Sequence, residues 1–235
     1  MKRHFAGFAM LAAVACAPSP DAPQDTGEAA PVTDTESAAS EPNVVGTIPA
    51  GAYTLDPTHA SLTFEVSHLG FSSYTASFDQ LEVEMALDPA NVAAAQIEAK
   101  VQLSSLDLPS PPEGFLSELL GPGWLNAGEH PFAAFHSTSV ELTGNYTAHV
   151  IGDLTLNGVT APVAFDVVFN GGWEGIPPDP HARIGFSAHG AFNRSDFGVD
   201  QGLPPPGTSM GVSDAVSFQI EAEFVGPEWT PPAEQ

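Results

Sequence analysis

The sequence predicts an all-β domain, an antiparallel barrel or sandwich of about eight strands. Three observations predict it: hydrophobicity that alternates with period two, turn signals between the alternating runs, and a single convincing helical stretch. Leu62, Phe64 and Val66 alternate with Ser61, Thr63 and Glu65, and Val83, Met85 and Leu87 with Glu82 and Glu84. Ile97, Ala99, Val101 and Leu103 alternate with Gln96, Glu98, Lys100 and Gln102, and Val216, Phe218, Ile220, Ala222 and Phe224 with Ser217, Gln219, Glu221 and Glu223. Further strands fit 132–142, 146–156, 159–170 and 182–192, separated by turn-rich segments such as Leu156-Asn157-Gly158 and Phe169-Asn170-Gly171-Gly172. Each strand has one apolar and one polar face. An antiparallel sheet with one wet face satisfies that pattern, and closing the sheet removes its edges. The helical stretch, Glu113 to Leu120, lies with a turn at Trp124-Leu125-Asn126 in the long 104–131 connection, which is expected to act as a lid or end-plug. Alternation alone leaves a packed sandwich and a hollow barrel equally served, and a filled core is its ordinary outcome.

The N-terminus reads as an address. Lys2 and Arg3 precede the apolar run Phe5 to Val14, which is shorter than the roughly 20 residues a spanning helix needs, so 1–15 is expected to be a signal peptide. Ala13-Val14-Ala15-Cys16 resembles the lipobox of bacterial lipoproteins, whose cysteine is diacylated and becomes the mature N-terminus. Cys16 is the only cysteine, so it serves no internal disulfide and no CxxC metal or redox site. Residues 16–51 are rich in proline, small residues and acids, and are expected to form a tether behind the lipidated Cys16. The barrel is expected over 52–226 and a flexible tail over 227–235. An exported lipoprotein follows, on the periplasmic face of the outer membrane or at the cell surface; Ala17 after the cysteine, where aspartate is absent, favours release to the outer membrane. Without the anchor the protein would be periplasmic.

Charge excludes one large class of partners. There are 29 acids against 5 bases, and beyond Lys2 and Arg3 the bases are Lys100, Arg183 and Arg194. Nucleic acid demands many cationic contacts, so no nucleic-acid binding is expected. The acidity has a plain use in keeping a β-rich protein soluble and its edges apart.

Catalytic constellations are missing as well. There is no HExxH, P-loop or dinucleotide fingerprint, so no cofactor is expected. Gly185-Phe186-Ser187-Ala188-His189 falls short of a nucleophile elbow, because it lacks the second glycine and sits in an alternating strand. His59, His68, His130, His136, His149, His181 and His189 are scattered, whereas zinc needs three or four converging ligands; no metal site is expected. His68 shares parity with Leu62, Phe64 and Val66, which places it on the apolar face near a barrel mouth. Arg194 is expected to pair with Asp196, Asp214 or Asp56, either as a clamp closing the barrel end or, with His59, as a contact for a ligand headgroup. Three bases in the domain would under-neutralise a buried pyrophosphate, so a neutral headgroup such as a quinone, or one left in solvent, is favoured.

Three segments, in order, resemble the YceI-like family of exported, lipocalin-like isoprenoid-binding proteins. Tyr53-Thr54-Leu55-Asp56-Pro57-Thr58-His59-Ala60-Ser61-Leu62-Thr63-Phe64-Glu65-Val66-Ser67-His68 resembles the family's first strands. Gly152-Asp153-Leu154-Thr155-Leu156-Asn157-Gly158-Val159-Thr160-Ala161-Pro162-Val163 resembles its central hairpin. Asn193-Arg194-Ser195-Asp196-Phe197-Gly198 with Val212-Ser213-Asp214-Ala215-Val216 resembles its closing section. The chain departs from the family at Ala76-Ser77, where glycine usually precedes the phenylalanine, in the Pro- and Gly-rich 109–128 region, and at Pro204-Pro205-Pro206. The resemblance implies an elongated barrel with a long tunnel for a polyprenyl chain or related amphiphile, no catalysis, and a homodimer. The ligand-lining residues expected on this basis are Phe64, Val66, His68, Val83, Val101, Phe165, Phe186 and Phe218. The function expected is that of a carrier for a long-chain isoprenoid or quinone-like ligand in the cell envelope. A scavenger of varied hydrophobic compounds, including antibiotics, and a solid-cored interaction domain are the alternatives.

Overall fold

The computed structural model describes residues 42–229. The signal peptide, Cys16 and most of the expected tether lie outside the described residues, as does most of the 227–235 tail. The strands are β1 (Asn43–Val45), β2 (Gly51–His68), β3 (Ser72–Phe78), β4 (Leu81–Leu87), β5 (Gln96–Gln102), β6 (Leu106–Asp107), β7 (Phe132–Leu142), β8 (Thr147–Leu156), β9 (Val159–Trp173), β10 (His181–Asn193) and β11 (Val212–Glu228). One helix, α1 (Phe115–Leu119), lies between β6 and β7.

Closure follows from the pairing. Each of β4, β5, β7, β8, β9, β10 and β11 pairs antiparallel with the next, β4 pairs with the start of β2, and β11 returns to pair with β2 from Val66↔Val216 to Thr54↔Val225. The result is a closed eight-stranded barrel. β3 continues the place of β4 beside the second half of β2, and β6 continues that of β5. The short β1 adds a parallel strand along Gly171–Trp173 of β9, within the stretch read from sequence as tether.

β7 covers the range its alternation predicts, and β8 and β9 meet at the Asn157-Gly158 turn. Both turn residues have positive φ, 51° and 76°, as a two-residue hairpin linker of this kind requires. β2 extends well beyond the 62–66 run. Ala60 faces Ala222 and Leu55 faces Phe224, so Asp56 to His59 bulge out opposite Glu223. That bulge accommodates Pro57, which donates nothing to a ladder, and it breaks the alternation that reveals strands in sequence. β3 keeps the alternation, Tyr74, Ala76 and Phe78 against Ser73, Thr75 and Ser77, but its run is short and Ala76 adds little apolar signal.

The fully buried residues form four clusters, one of them, Val140, Ala148 and Val150, on the wall made by β7 and β8. At the end holding the 88–95, 143–146 and 174–180 connections, Tyr53, Leu55, Met85, Ala182, Ile184 and Phe224 form one cluster. At the opposite end, which holds the 69–71, 103–131 and 194–211 connections, Leu103, Leu156, Val163, Phe197 and Val199 form another. Tyr53 donates its hydroxyl to Pro49 O at 2.6 Å, and burial pushes the phenol up to about 12. Gly226 lies flat against the Tyr53 ring, with no room for a Cβ.

Candidate functional site

Between those end clusters the inward side chains change character. Phe64, Val66, Val83, Val101, Phe165, Phe186 and Phe218 share strand faces with the buried core residues, yet each is only half-buried. Phe64, Val83, Phe165, Phe186 and Phe218 also pack against the buried clusters, yet part of their surface stays reachable. In a close-packed barrel they would be sealed by their neighbours. Phe78, Phe135, Phe169, Phe192, Leu62 and Ile220 are in the same condition and complete the lining. These were legible by the same alternation, except Phe169, which the adjacent Asn-Gly-Gly disguises as turn.

The rings organise this lumen. Phe64 stacks on Phe78 at 5.5 Å, Phe165 meets Phe135 at 5.3 Å and Phe218 at 5.9 Å, and Phe186 meets Phe169 at 5.5 Å and Phe224 at 6.0 Å. Phe165 and Phe218 reach each other across β10 because Gly190 lies between them. A Cβ there would come 2.6 Å from Phe165 Cβ and 2.8 Å from Phe218 Cζ. Toward the far end, Phe115, Leu116, Leu119, Leu120 and Leu125 pack against Ala76, Leu106 and Leu108. Helix α1 and its following turn therefore cover that end, which is the placement expected for the 104–131 connection.

His68 ends β2 beside the hairpin, where it is exposed. His59 stands on the outer face, its side chain 58% exposed and its Nδ1 3.1 Å from Asp56 Oδ2, away from the lumen. Asp56, His59 and Glu223 group closely enough to suggest a cation site. Arg183 answers that suggestion, because its Nη1 already donates to Asp56 Oδ2 at 3.0 Å and its Nε to Asp179 at 2.8 Å. A cation here would face the guanidinium. Ser187 is also outward, donating to Glu221 Oε2 at 2.5 Å and accepting from Asn170 at 2.8 Å, and among the described residues no histidine hydrogen-bonds it.

Hydrogen bonds from Thr58, then His59 and Arg183, hold the Asp56 carboxyl far below the usual carboxylate range. A lowered folded value means that the stabilisation is complete above the unfolded carboxylate value near pH 4 and disappears as pH falls below it. Asp56→Asn is therefore expected to lower the melting temperature at pH 7. The gap from wild type should close progressively below about pH 4 in thermal melts taken across pH.

Arg194 differs from its sequence expectation. It is 5% exposed and donates to four backbone carbonyls: Nε to Ser213 O at 2.9 Å, Nη1 to Val199 O at 2.7 Å and Gln201 O at 2.8 Å, and Nη2 to Val212 O at 3.0 Å. Its guanidinium lies 5.4 Å from the centre of the Trp124 ring. Among the described residues no carboxylate hydrogen-bonds it. Asp214 spends its oxygens on Ser195 N and Oγ, at 2.9 and 2.8 Å, and acts on Arg194 only through space. Desolvation lowers the Arg194 pKa, with Asp214 and Asp200 opposing. Four carbonyls replace one carboxylate because the chain from Val199 to Ser213 wraps the side chain, which sequence separation does not reveal.

A closed eight-stranded antiparallel barrel with an apolar inward face defines a protein of the lipocalin-like class. The YceI-like domain model matches residues 53–224, and the chain belongs to that family. A UPF0312 protein of Pseudomonas fluorescens is 36% identical over 181 residues, covering 74% of this chain and 88% of that protein. One from Vibrio cholerae is 32% identical over 178 residues, covering 75% and 88%. Among solved structures, Burkholderia cenocepacia BcnA superposes with a TM-score of 0.59 at 20% identity, covering 72% of this chain and 98% of that one. A polyisoprenoid binding domain from Saccharophagus degradans, implicated in plant cell wall breakdown, superposes with a TM-score of 0.55 at 13% identity, covering 74% and 98%. These two structural likenesses concern the fold.

Proposed function

We propose that the protein is a non-catalytic carrier that holds one long-chain isoprenoid or quinone-like molecule inside its barrel, in the cell envelope. The observation that carries this reading is the half-buried state of the inward phenylalanines between two sealed ends. A dry apolar cavity accepts hydrocarbon more readily than water. Burial at roughly 25 cal/mol per Å² gives a prenyl chain a gross gain on the order of 10 kcal/mol, less the cost of ordering it. The polyisoprenoid-binding neighbour adds support at the level of fold. Arg194 is committed to backbone carbonyls and His59 faces outward, so a neutral or solvent-facing headgroup fits best.

Added polyprenyl or ubiquinone-type lipid is expected to raise the melting temperature. Saturation at a hundred times Kd contributes about 2.7 kcal/mol, or roughly 5–10 °C for a domain of this size. Absence of any shift at saturating lipid counts against the reading. Envelope placement rests on Cys16, whose acylation would tether the barrel to the outer membrane. Cys16→Ser is expected to move the protein from the membrane to the soluble fraction of a bacterial host; a wild type that is already soluble contradicts the anchor.

A further inference from the structure

One end of the barrel carries the two most exposed large apolar side chains among the described residues. The β2–β3 hairpin projects Phe71, which is 80% exposed, and the 202–211 loop projects Met210, which is 62% exposed. The two loops are joined. Leu69 N donates to Gly211 O at 2.8 Å, and a Cβ on Gly70 would come 2.8 Å from Ser209 Oγ. Both are ordered by their own bonds: Phe71 N donates to His68 O, Thr208 N to Pro205 O, and Val212 N to Gly202 O. Leu69 adopts φ 55° in a turn where asparagine or glycine is the unstrained choice, so a branched apolar side chain is held at the tip against its backbone preference.

Charge sets the tip apart more sharply. Neither 66–78 nor 201–213 contains an Asp, Glu, Lys or Arg, in a chain of formal net charge −24. The acids resume at Glu65 and Asp79 on one loop and at Asp200 and Asp214 on the other. Ordered loops that aim large apolar side chains into solvent, cleared of both signs of charge, match an uncharged interfacial surface.

We propose that Phe71 and Met210 form a contact tip that inserts into the headgroup region of a zwitterionic phospholipid bilayer. An anionic bilayer fits poorly, because the tip offers no Lys or Arg and the body of the protein is acidic. A second copy of this chain fits poorly too. Two side chains on short loops fall well below the roughly 800 Å² per partner of a stable interface, and they would draw two strongly acidic chains together. The tip does not depend on the barrel holding a ligand, but it lies at the end that α1 covers, where a molecule leaving a bilayer would arrive.

The test uses the full chain carrying Cys16→Ser, so that no acyl anchor contributes, with phosphatidylcholine vesicles in a sedimentation assay. The parent is expected to co-sediment. Phe71→Ser combined with Met210→Ser should weaken partitioning by about tenfold or more. Leu142→Ser, which removes a 58% exposed leucine at the other end, should leave partitioning unchanged. Phe71→Trp should gain fluorescence that brominated phosphatidylcholine quenches, relative to the parent, and this readout decides the matter if the double variant fails to fold. No co-sedimentation by the parent, equal binding by the double variant, or an unquenched indole signal from Phe71→Trp overturns the proposal. A dimer in sedimentation velocity that the double variant abolishes, without vesicle binding, assigns the tip to self-association instead.

Discussion

Arg194→Ala is expected to lower the melting temperature by roughly 6–12 °C, a large loss for the truncation of one side chain. The guanidinium satisfies Ser213, Val199, Gln201 and Val212 carbonyls at once. Removing it leaves buried acceptors without donors, at about 1–3 kcal/mol for each that water cannot reach. Readmitted water and the recovered desolvation of the charge offset part of this, leaving a net loss on the order of 3 kcal/mol. About 2–4 °C per kcal/mol for a domain of this size then gives the expected shift. Arg194→Lys should fall between, since a compact ammonium has three donors and lacks the planar fork that spans both sides of the loop. Ligand occupancy in the molecules that remain folded should change little. An unchanged melting temperature with lost binding would assign Arg194 to the ligand.

Val101→Trp is expected to reduce ligand occupancy by about tenfold or more while the β-sheet circular dichroism persists. Val101 lies on β5 between Leu81 and Ala133, inward and half-buried. Extra volume in a packed core costs typically 1–3 kcal/mol, whereas extra volume in an unfilled lumen meets space instead of atoms. The variant should therefore melt near the ligand-free wild type and gain no stability from added lipid. A lipid-induced shift as large as that of wild type would place the ligand elsewhere. A collapse of the fold would mean that the region around Val101 is packed.

Much of this architecture is readable because strands with one wet face write their burial into every second residue. β7, β8, β9, β10 and the second half of β11 are plain for that reason, and Asn157-Gly158 marks a turn through its backbone preference alone. Where the chain bulges at Asp56 to His59, periodicity fails although the hydrogen-bond ladder resumes on either side, and β3 alternates over too few residues to stand out. Inward orientation follows from parity for Phe64, Val66, Val83, Val101, Phe165, Phe186 and Phe218, whereas His68, expected on the same face, ends β2 exposed. Whether the interior is filled does not follow from alternation, which says which way a side chain points and nothing about whether opposite faces meet. The same holds for Arg194. A lone arginine in an acidic domain invites a carboxylate partner, but the loop it closes supplies carbonyls, and only the folded path of 199–213 brings them together. His59 shows the complementary limit: adjacency to the first strand says nothing about which side of a bulge it occupies.

Native mass spectrometry of protein purified without detergent decides whether the barrel holds one apolar chain. A mass excess of one small molecule per protomer at near-unit occupancy is expected, with organic extraction yielding a polyprenyl or prenyl-quinone species. Mixed amphiphiles at low occupancy would instead describe a scavenger. Protein at the bare chain mass, which gains no mass when polyprenyl or ubiquinone-type lipid is added, would contradict the account.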